Sequence, residues 1–485
     1  MIGSPPAAGA ERVAAFAAAL HEERPPDEVL ATARLLLLDT VGCALAAATA
    51  GGYDGVRAVA VEQGGFPQAR IIGSREMVPG ASAALVNGTL AHALDFDDIH
   101  PTSSAHTSAV VVPAALAAAE ASSAGGGELL DAIVLGTEVA ARIGSIVPAG
   151  LHERGFHATS VAGVFGAAAA AAALNGVGPA VTTAALGIAG STASGILAYL
   201  DDATETKPLH AGWAAHAGVL AVAVADAGVA GPPSVLEGRY GILDSFLRGT
   251  LPDPAARRDA AAAAFEDLGR GWRTLEVTPK AYPCCAFMHP WLAAVEGALG
   301  GERQRGEDLT AVRAALPSEV AARLAEPRAR ADAPASGYDA KFSFPYSLAA
   351  LLLGGELNLA SYGTEAIADP QVLELARRIE ISTFAQDNWS TSPRGEVELR
   401  LSEGRMLTMA LDGSRVADNA LGAAAGTEAK FHANAAPALG ADRARALGEA
   451  IAALDGEASI SLLTALLAPC QEGAPDHTEA PGGTR

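Results

Sequence analysis

Three aspartates and three histidines fall within residues 90–106, LAHALDFDDIHPTSSAH, of a chain otherwise rich in alanine. Acids beside imidazoles suit general acid–base work, a metal centre, or simply a solvated helix end. A helix carried from residue 84 to 99 would put His92, Asp95 and Ile99 on one face, with Asp98 one turn from Asp95, and would have to break before Pro101. Asp95 would then stand near a helix end, facing whatever the loop from His100 to His106 covers. A carboxylate next to an imidazole can take a proton, or can hold and polarise the ring. The spacing is not HExxH and not a calcium loop. It is not DDxxD either, because Asp97-Asp98 runs into Ile-His-Pro. The favoured reading is acid–base chemistry without a metal.

Three further stretches open helices with an ionisable group beside a hydroxyl. They are His106-Thr107-Ser108, the run Gly155 to Ser160 containing His157 and Thr159, and Thr206-Lys207-Pro208. Helix starts present free N–H groups and a positive dipole end, so two or three that converge form an anion site. The plain alternative is that Ser and Thr are ordinary caps. Lys207 is the sharper signal, because a lysine opposes the dipole there unless an anion is bound. His210 and His216 lie further along the third helix on different faces, and a histidine among alanines is most often a hydrogen-bonded core residue. Residues 275–291, LEVTPKAYPCCAFMHPW, bring Lys280, Cys285 and His289 to a junction between two textures of sequence, where ligand clefts favour forming. The paired cysteines are equally at home as small buried residues.

These groups must be carried by a large scaffold. The chain has 485 residues, half of them hydrophobic and few aromatic, which favours closely packed alanine-rich helices. The fold expected is mainly α with an inserted α+β domain. A helical part runs over 10–268, an α+β part over 269–413, a helical return over 414–470 and a disordered tail over 471–485. Two helices flank Pro25-Pro26. Strands are expected at 273–278, 309–316, 377–384 and 395–410, the last a hairpin turning at Glu403-Gly404; helices at 286–299, 341–354 and 438–455. The formal charge of −22 argues against nucleic acid as a partner. The longest uncharged apolar run, 162–174, is too short to span a bilayer, and the four cysteines lack a CxxC pair. A cytoplasmic protein is expected, without a membrane or a nucleic-acid partner.

Taken together, these stretches resemble the MmgE/PrpD family. The matching pieces are LLLLDTVGCALA, NGTLAHALDFDDIH with His106, GFHATSVAGVFGAAAAAAALNG, KPLHAGWAAHAGVLA, KAYPCCAFMHP and AKFSFPYSLAALLLGG, in family order over roughly residues 30–380. The resemblance implies a helical domain built from both chain ends with an α+β lid, a site between them, a homodimer, and no cofactor or metal. It implies catalytic roles for Asp95, His106, Lys207, Lys280 and Tyr346, with Cys285 and His289 where the family's decarboxylase branch carries a catalytic histidine. It suggests substrate contacts at His157, Thr159, His210 and His100. The activity implied is proton abstraction next to a carboxylate of a small polycarboxylate. Ile99 and Cys285 depart from the decarboxylase pattern, which favours a 2-methylcitrate dehydratase-like dehydration; the alternatives are an epimerase, an isomerase or a decarboxylase.

Overall fold

The computed structural model describes residues 9–20, 22–202, 204–251, 253–387, 389, 392–412, 424–455 and 460–469. The tail expected over 471–485, and the opening of the expected helical return, lie outside the described residues.

Two hydrophobic cores organise the chain. The first gathers residues from Ala10 to Phe265 and again from Phe431 to Leu467. The second is confined to Tyr282 through Met409. The helices of the first body are α1 (Gly9–Ala19), α2 (Asp27–Ala50), α3 (Gly80–Ala93), α4 (Ser108–Ser122), α5 (Gly126–Ser145), α6 (Ala158–Leu174), α7 (Pro179–Thr192) and α8 (Thr206–Asp226). A two-residue ladder, β1 (Ala69–Arg70) with β2 (Met77–Val78), closes the connector before α3.

α2 starts after Pro25-Pro26, with Asp27 and Glu28 in its first turn, where the helix dipole favours acids. α2 and α8 are long and apolar enough to cross a membrane, but more than half of each lies inside the protein. Alanine and glycine set the packing. A Cβ added at Gly88 of α3 would meet Gly212 Cα of α8 at 2.8 Å, and one added at Gly212 would meet Leu85 O at 2.2 Å. Only glycine lets these two backbones touch. That crossing brings the end of α3 beside the start of α8.

The smaller body carries α9 (His289–Leu299), β3 (Leu309–Pro317), α10 (Phe344–Gly354), α11 (Pro370–Arg378), β4 (Ile379–Phe384), β5 (Arg394–Leu401) and β6 (Met406–Asp412). The sheet order is β4-β3-β5-β6. β3 runs parallel to β4 and antiparallel to β5, and β5 and β6 form the hairpin through Gly404 at φ +82°. The fold is therefore mainly α with a small α+β region.

After the sheet, α12 (Ala424–Leu439) and α13 (Ala441–Ala452) return to the first body. Phe431 of α12 seats against Gly42 of α2, with 3.1 Å between its ring and a Cβ built there. Beside it Lys430 reaches Asp39, a buried acid in the middle of α2, at 2.7 Å.

Two expectations are corrected. Residues 273–278 are not a strand: Arg273–Glu276 is a 3₁₀ turn, and only Thr278 bridges to Ile99. The alternating pattern serves side-chain pairing instead. Thr274 donates its N–H and hydroxyl to Glu138 at 2.7 and 2.8 Å, while Arg273 donates to Glu276 at 2.8 Å. Second, the helix does not run to residue 99. α3 stops at Ala93, and Asp95 takes a left-handed conformation with φ 51°.

Replacing Lys430 with Met would leave Asp39 buried and uncompensated. Breaking a buried pair in this way costs about 3–5 kcal/mol. Urea unfolding of Lys430→Met is expected to show a loss of that order; a variant as stable as the parent would contradict the pairing.

Candidate functional site

The end of α3 is held by lysines. Lys341 donates to Leu94 O at 2.5 Å, Lys280 to Asp95 O at 2.8 Å, and Lys430 to Phe96 O at 2.5 Å. A helix leaves its last carbonyls without intrahelical partners, and cations suit that end of the dipole. Here three successive carbonyls each find an ammonium from a different part of the chain. The backbone consequently turns at Asp95, and its carboxylate swings toward the start of α8. Asp95 Oδ1 lies 2.5 Å from Lys207 Nζ and 3.1 Å from Lys280 Nζ. Burial alone would push this acid up; Lys207, then Lys280 and His106, overcome that and hold it below the usual carboxylate range.

Asp97 plays a different part. Its Oδ2 lies 2.8 Å from His92 Nδ1 and 3.3 Å from His106 Nδ1. Burial opposes its charge, but the two imidazoles prevail and hold it well below the usual carboxylate range. An ionised carboxylate only accepts, so His92 Nδ1 donates to Asp97. His106 Nδ1 stands near the same oxygen without hydrogen-bond geometry. Burial lowers the His106 imidazolium to about 3, so the ring is neutral near pH 7. The carboxylate beside the imidazoles is thus Asp97, not Asp95, because the turn at Asp95 rotates its side chain off the histidine face. His92, Asp97 and His106 offer ligand atoms within 4.8 Å of one another, a separation that a metal ion could also use.

Above these groups lies a cavity of about 620 Å³ between the two bodies. Asp95, His106, His157, Lys207, Lys280 and Cys285 line it, as do Ile99, His152, Tyr199, Arg323, Arg330 and Tyr338. The three helix starts singled out in the sequence meet here. His106 precedes the Thr107 cap of α4, His157 caps α6, and Lys207 is the second residue of α8. Thr159 Oγ accepts the His106 N–H at 3.1 Å and so ties two of these starts together. The lining sets Lys207, Lys280, Arg323 and Arg330 against Asp95, Asp201, Glu326 and Asp339. It is locally balanced in a chain whose charge is −22. That balance, with helix starts aimed inward, admits an anion.

Five of the residues expected here lie off the cavity wall. Tyr346 is in the lid core, its hydroxyl donating to Ser361 O at 2.6 Å. Its place in α10 puts the ring in the lid core, off the cavity wall. His289 opens α9 and sits 3.2 Å from Cys284 O, outside the cavity. His100 is spent on the loop, at 2.9 Å from Ser103 Oγ and 3.2 Å from Glu276. Thr159 acts through His106. His210 stands behind His157, with 3.3 Å between their Nδ1 atoms. Cys285 does line the cavity, and burial pushes its thiol up, so it is not a ready thiolate. Sequence reasoning missed Tyr199, Tyr338, Arg323, Arg330 and Lys430. Asp39 was the legible signal for Lys430: a lone acid in the apolar run LLLLDTVG needs a buried cation.

The comparisons with known proteins agree along most of the chain. Residues 11–255 match the model of the MmgE/PrpD N-terminal domain, and residues 282–456 that of the MmgE/PrpD C-terminal domain. A cis-aconitate decarboxylase of Homo sapiens is 29% identical over 474 residues, 93% of this chain and 93% of its own length. One from Aspergillus terreus is 26% identical over 407 residues, 80% of this chain and 81% of its own. One from Mus musculus is 28% identical over 408 residues, 80% and 79%.

Several imidazoles here are held neutral by burial: His106 at about 3, His152 and His210 at about 4. The unfolded chain binds these protons near 6.5, so between about pH 4 and 6.5 it carries more protons than the fold. These imidazoles therefore contribute stability that grows with pH across that window, while Asp98, pushed by burial up to about 8, works against them because the fold keeps a proton the unfolded chain has lost. With Asp98 replaced by Asn to remove that opposing group, a melting temperature that climbs from pH 4.5 to 6.5 is expected. One that is flat or falls would contradict the buried neutral imidazoles.

Proposed function

Because the chain belongs to the MmgE/PrpD family, whose two domain models it matches, we propose that it is a carboxy-lyase releasing CO₂ from a small tricarboxylate of the cis-aconitate class. The observation that carries this reading is the convergence of Lys207, Lys280 and three helix starts on one enclosed cavity, with Asp95 held ionised among them. The decarboxylases that match the chain over most of their length support the same reaction. Dehydration, the first choice from the sequence, becomes the second reading. It draws on Ile99 and Cys285, which face the cavity where the decarboxylase pattern has threonine and histidine.

The chemistry follows from charge. When the C–CO₂ bond of the substrate's CH₂–COO⁻ arm breaks, its electron pair becomes a new terminal C=C. The old double bond shifts its pair onto the former alkene carbon, which then takes a proton. Negative charge spreads toward the remaining carboxylates during this step, and fixed donors in a water-poor pocket stabilise it best. Lys207, Lys280 and the helix N–H groups are placed for that. His106 is neutral in the free enzyme, and a bound polyanion raises its proton affinity. The imidazole, close to Asp97, can then carry the proton to carbon and be reprotonated from solvent. Asp95 keeps both lysines charged and aimed. No cofactor enters the scheme.

The exposed apolar side chains Leu209, Trp213 and Leu220 fall on one face of α8, and a second copy of the chain would cover them. The protein is accordingly read as a homodimer. The three described cysteines, all free thiols, suit the cytoplasm.

Incubation of the purified protein in D₂O with cis-aconitate, and in parallel with 2-methylcitrate and citrate, tests the reading by proton NMR. The expected result is CO₂ release from cis-aconitate and a five-carbon product with one deuterium in its saturated CH₂. Light scattering on the same sample should give twice the 48.6 kDa chain mass. Water loss from a hydroxy acid without CO₂ would favour the second reading, and turnover of none of the three would refute both.

A further inference from the structure

The lid contributes to the cavity a hydroxyl that none of the described residues satisfies. Tyr338 lines the cavity, its Oη is buried, and among the described residues no hydrogen-bond partner stands within reach of it. Buried hydroxyls almost always find a partner, and one left alone lowers stability. The other lid tyrosines show the ordinary case: Tyr346 donates to Ser361 O, and Tyr362 is 2.9 Å from Ser347 Oγ. Tyr338 is therefore the exception within its own domain, and it is the exception that faces the cleft.

Its surroundings fix where the ring stands. Ser336 caps the short turn carrying Tyr338 by accepting the Asp339 N–H at 3.1 Å. Asp339, the next residue, is buried and takes Arg330 at 2.8 Å. Arg330 in turn donates to Leu200 O of the helical body at 3.2 Å. The Tyr338 ring packs on Phe342 with centroids 5.5 Å apart, and Lys207 Nζ lies 5.2 Å from the centroid of Phe342 on its other contact. The ring is thus anchored in the lid against Phe342, the same ring that Lys207 approaches, and both Tyr338 and Lys207 line the cavity. Burial pushes the phenol well above its ordinary value, so it stays neutral and donates rather than ionises.

We propose that Tyr338 is a substrate-binding residue, donating a hydrogen bond from the lid to a carboxylate oxygen of the bound polycarboxylate. This rests on the carboxylate reading of the cavity. A carboxylate is the partner the chemistry selects, because a neutral phenol in a cavity that also holds Lys207 and Lys280 gains most from an anionic acceptor. The body supplies cations and helix starts from one side, and Tyr338 supplies a directional donor from the other. A ligand bound to both would draw lid and body together. It also gives the unmade bond of the free protein a purpose: a donor left open in advance, ready for the ligand.

Tyr338→Phe removes the hydroxyl alone, and Tyr362→Phe, which removes a satisfied hydroxyl off the cavity wall, serves as a lid control. Melting temperatures of the full-length protein and both variants are measured with and without cis-aconitate, and KM is measured for the reaction. The expected result for Tyr338→Phe is an unliganded melting temperature equal to or above the parent's. With it should come a KM raised about tenfold or more and a ligand-induced shift reduced to match. Tyr362→Phe should melt lower and keep its KM. A Tyr338→Phe protein with parental KM and ligand shift would overturn the proposal while leaving the carboxylate reading intact. A parent protein that neither binds nor turns over cis-aconitate, 2-methylcitrate or citrate would overturn both.

Discussion

Three lysines take three consecutive carbonyls at the end of one helix, and the architecture around the cavity depends on that capping. Lys341 comes from the lid, Lys280 from the junction and Lys430 from the returning C-terminal helix. Each ties its own part of the chain to Leu94, Asp95 or Phe96. Without them the carbonyls would be buried and unpaired, or the helix would continue and carry Asp95 round to another face. With them the chain turns at φ 51° and the Asp95 carboxylate lands between Lys207 and Lys280. Lys280 binds both the carbonyl and the carboxylate of Asp95, and Lys430 also takes the buried Asp39. The same contacts that end the helix therefore build the site and fasten the lid to the body.

The charges around this turn form two separate units. Asp95 with Lys207 and Lys280 is a cationic unit facing the cavity. Asp97 is a second anion, bonded to His92 and close to His106. Keeping the two apart matters, because Asp97 anchors the imidazole side of the turn while Asp95 sets the lysines. Stability is given up at several points for this arrangement. Lys207 opposes the dipole of α8, several imidazoles are held neutral, and the Tyr338 hydroxyl has no partner among the described residues.

Much of this was legible in the sequence. The alanine-rich runs and the alternating stretches at 309–316, 377–384 and 395–410 separate the helical body from the inserted sheet, because period and composition differ between them. The lysine at the start of α8 was legible because it violates the dipole rule. What failed was whatever depended on long-range pairing. RTLEVT alternates for the sake of Glu138 and Arg273–Glu276 contacts, which no local pattern reports. The helix end at Ala93 is imposed by lysines distant in sequence, so periodicity carried it too far. Tyr346 and Tyr338 differ only in which side of the lid they face, and that is set by the turn after Ser336.

The central claim is that the Asp95 carboxylate occupies, in the free protein, cations that a polycarboxylate substrate must share. Calorimetric titration of cis-aconitate into an Asp95→Asn variant, beside the parent, tests it most directly. Neutralising Asp95 frees Lys207 and Lys280 and removes a buried negative charge from the path of the ligand. The account predicts tighter binding by the variant, with turnover lost. Binding that is weaker than the parent's, or unchanged, would show that Asp95 does not compete for those lysines and would contradict the account.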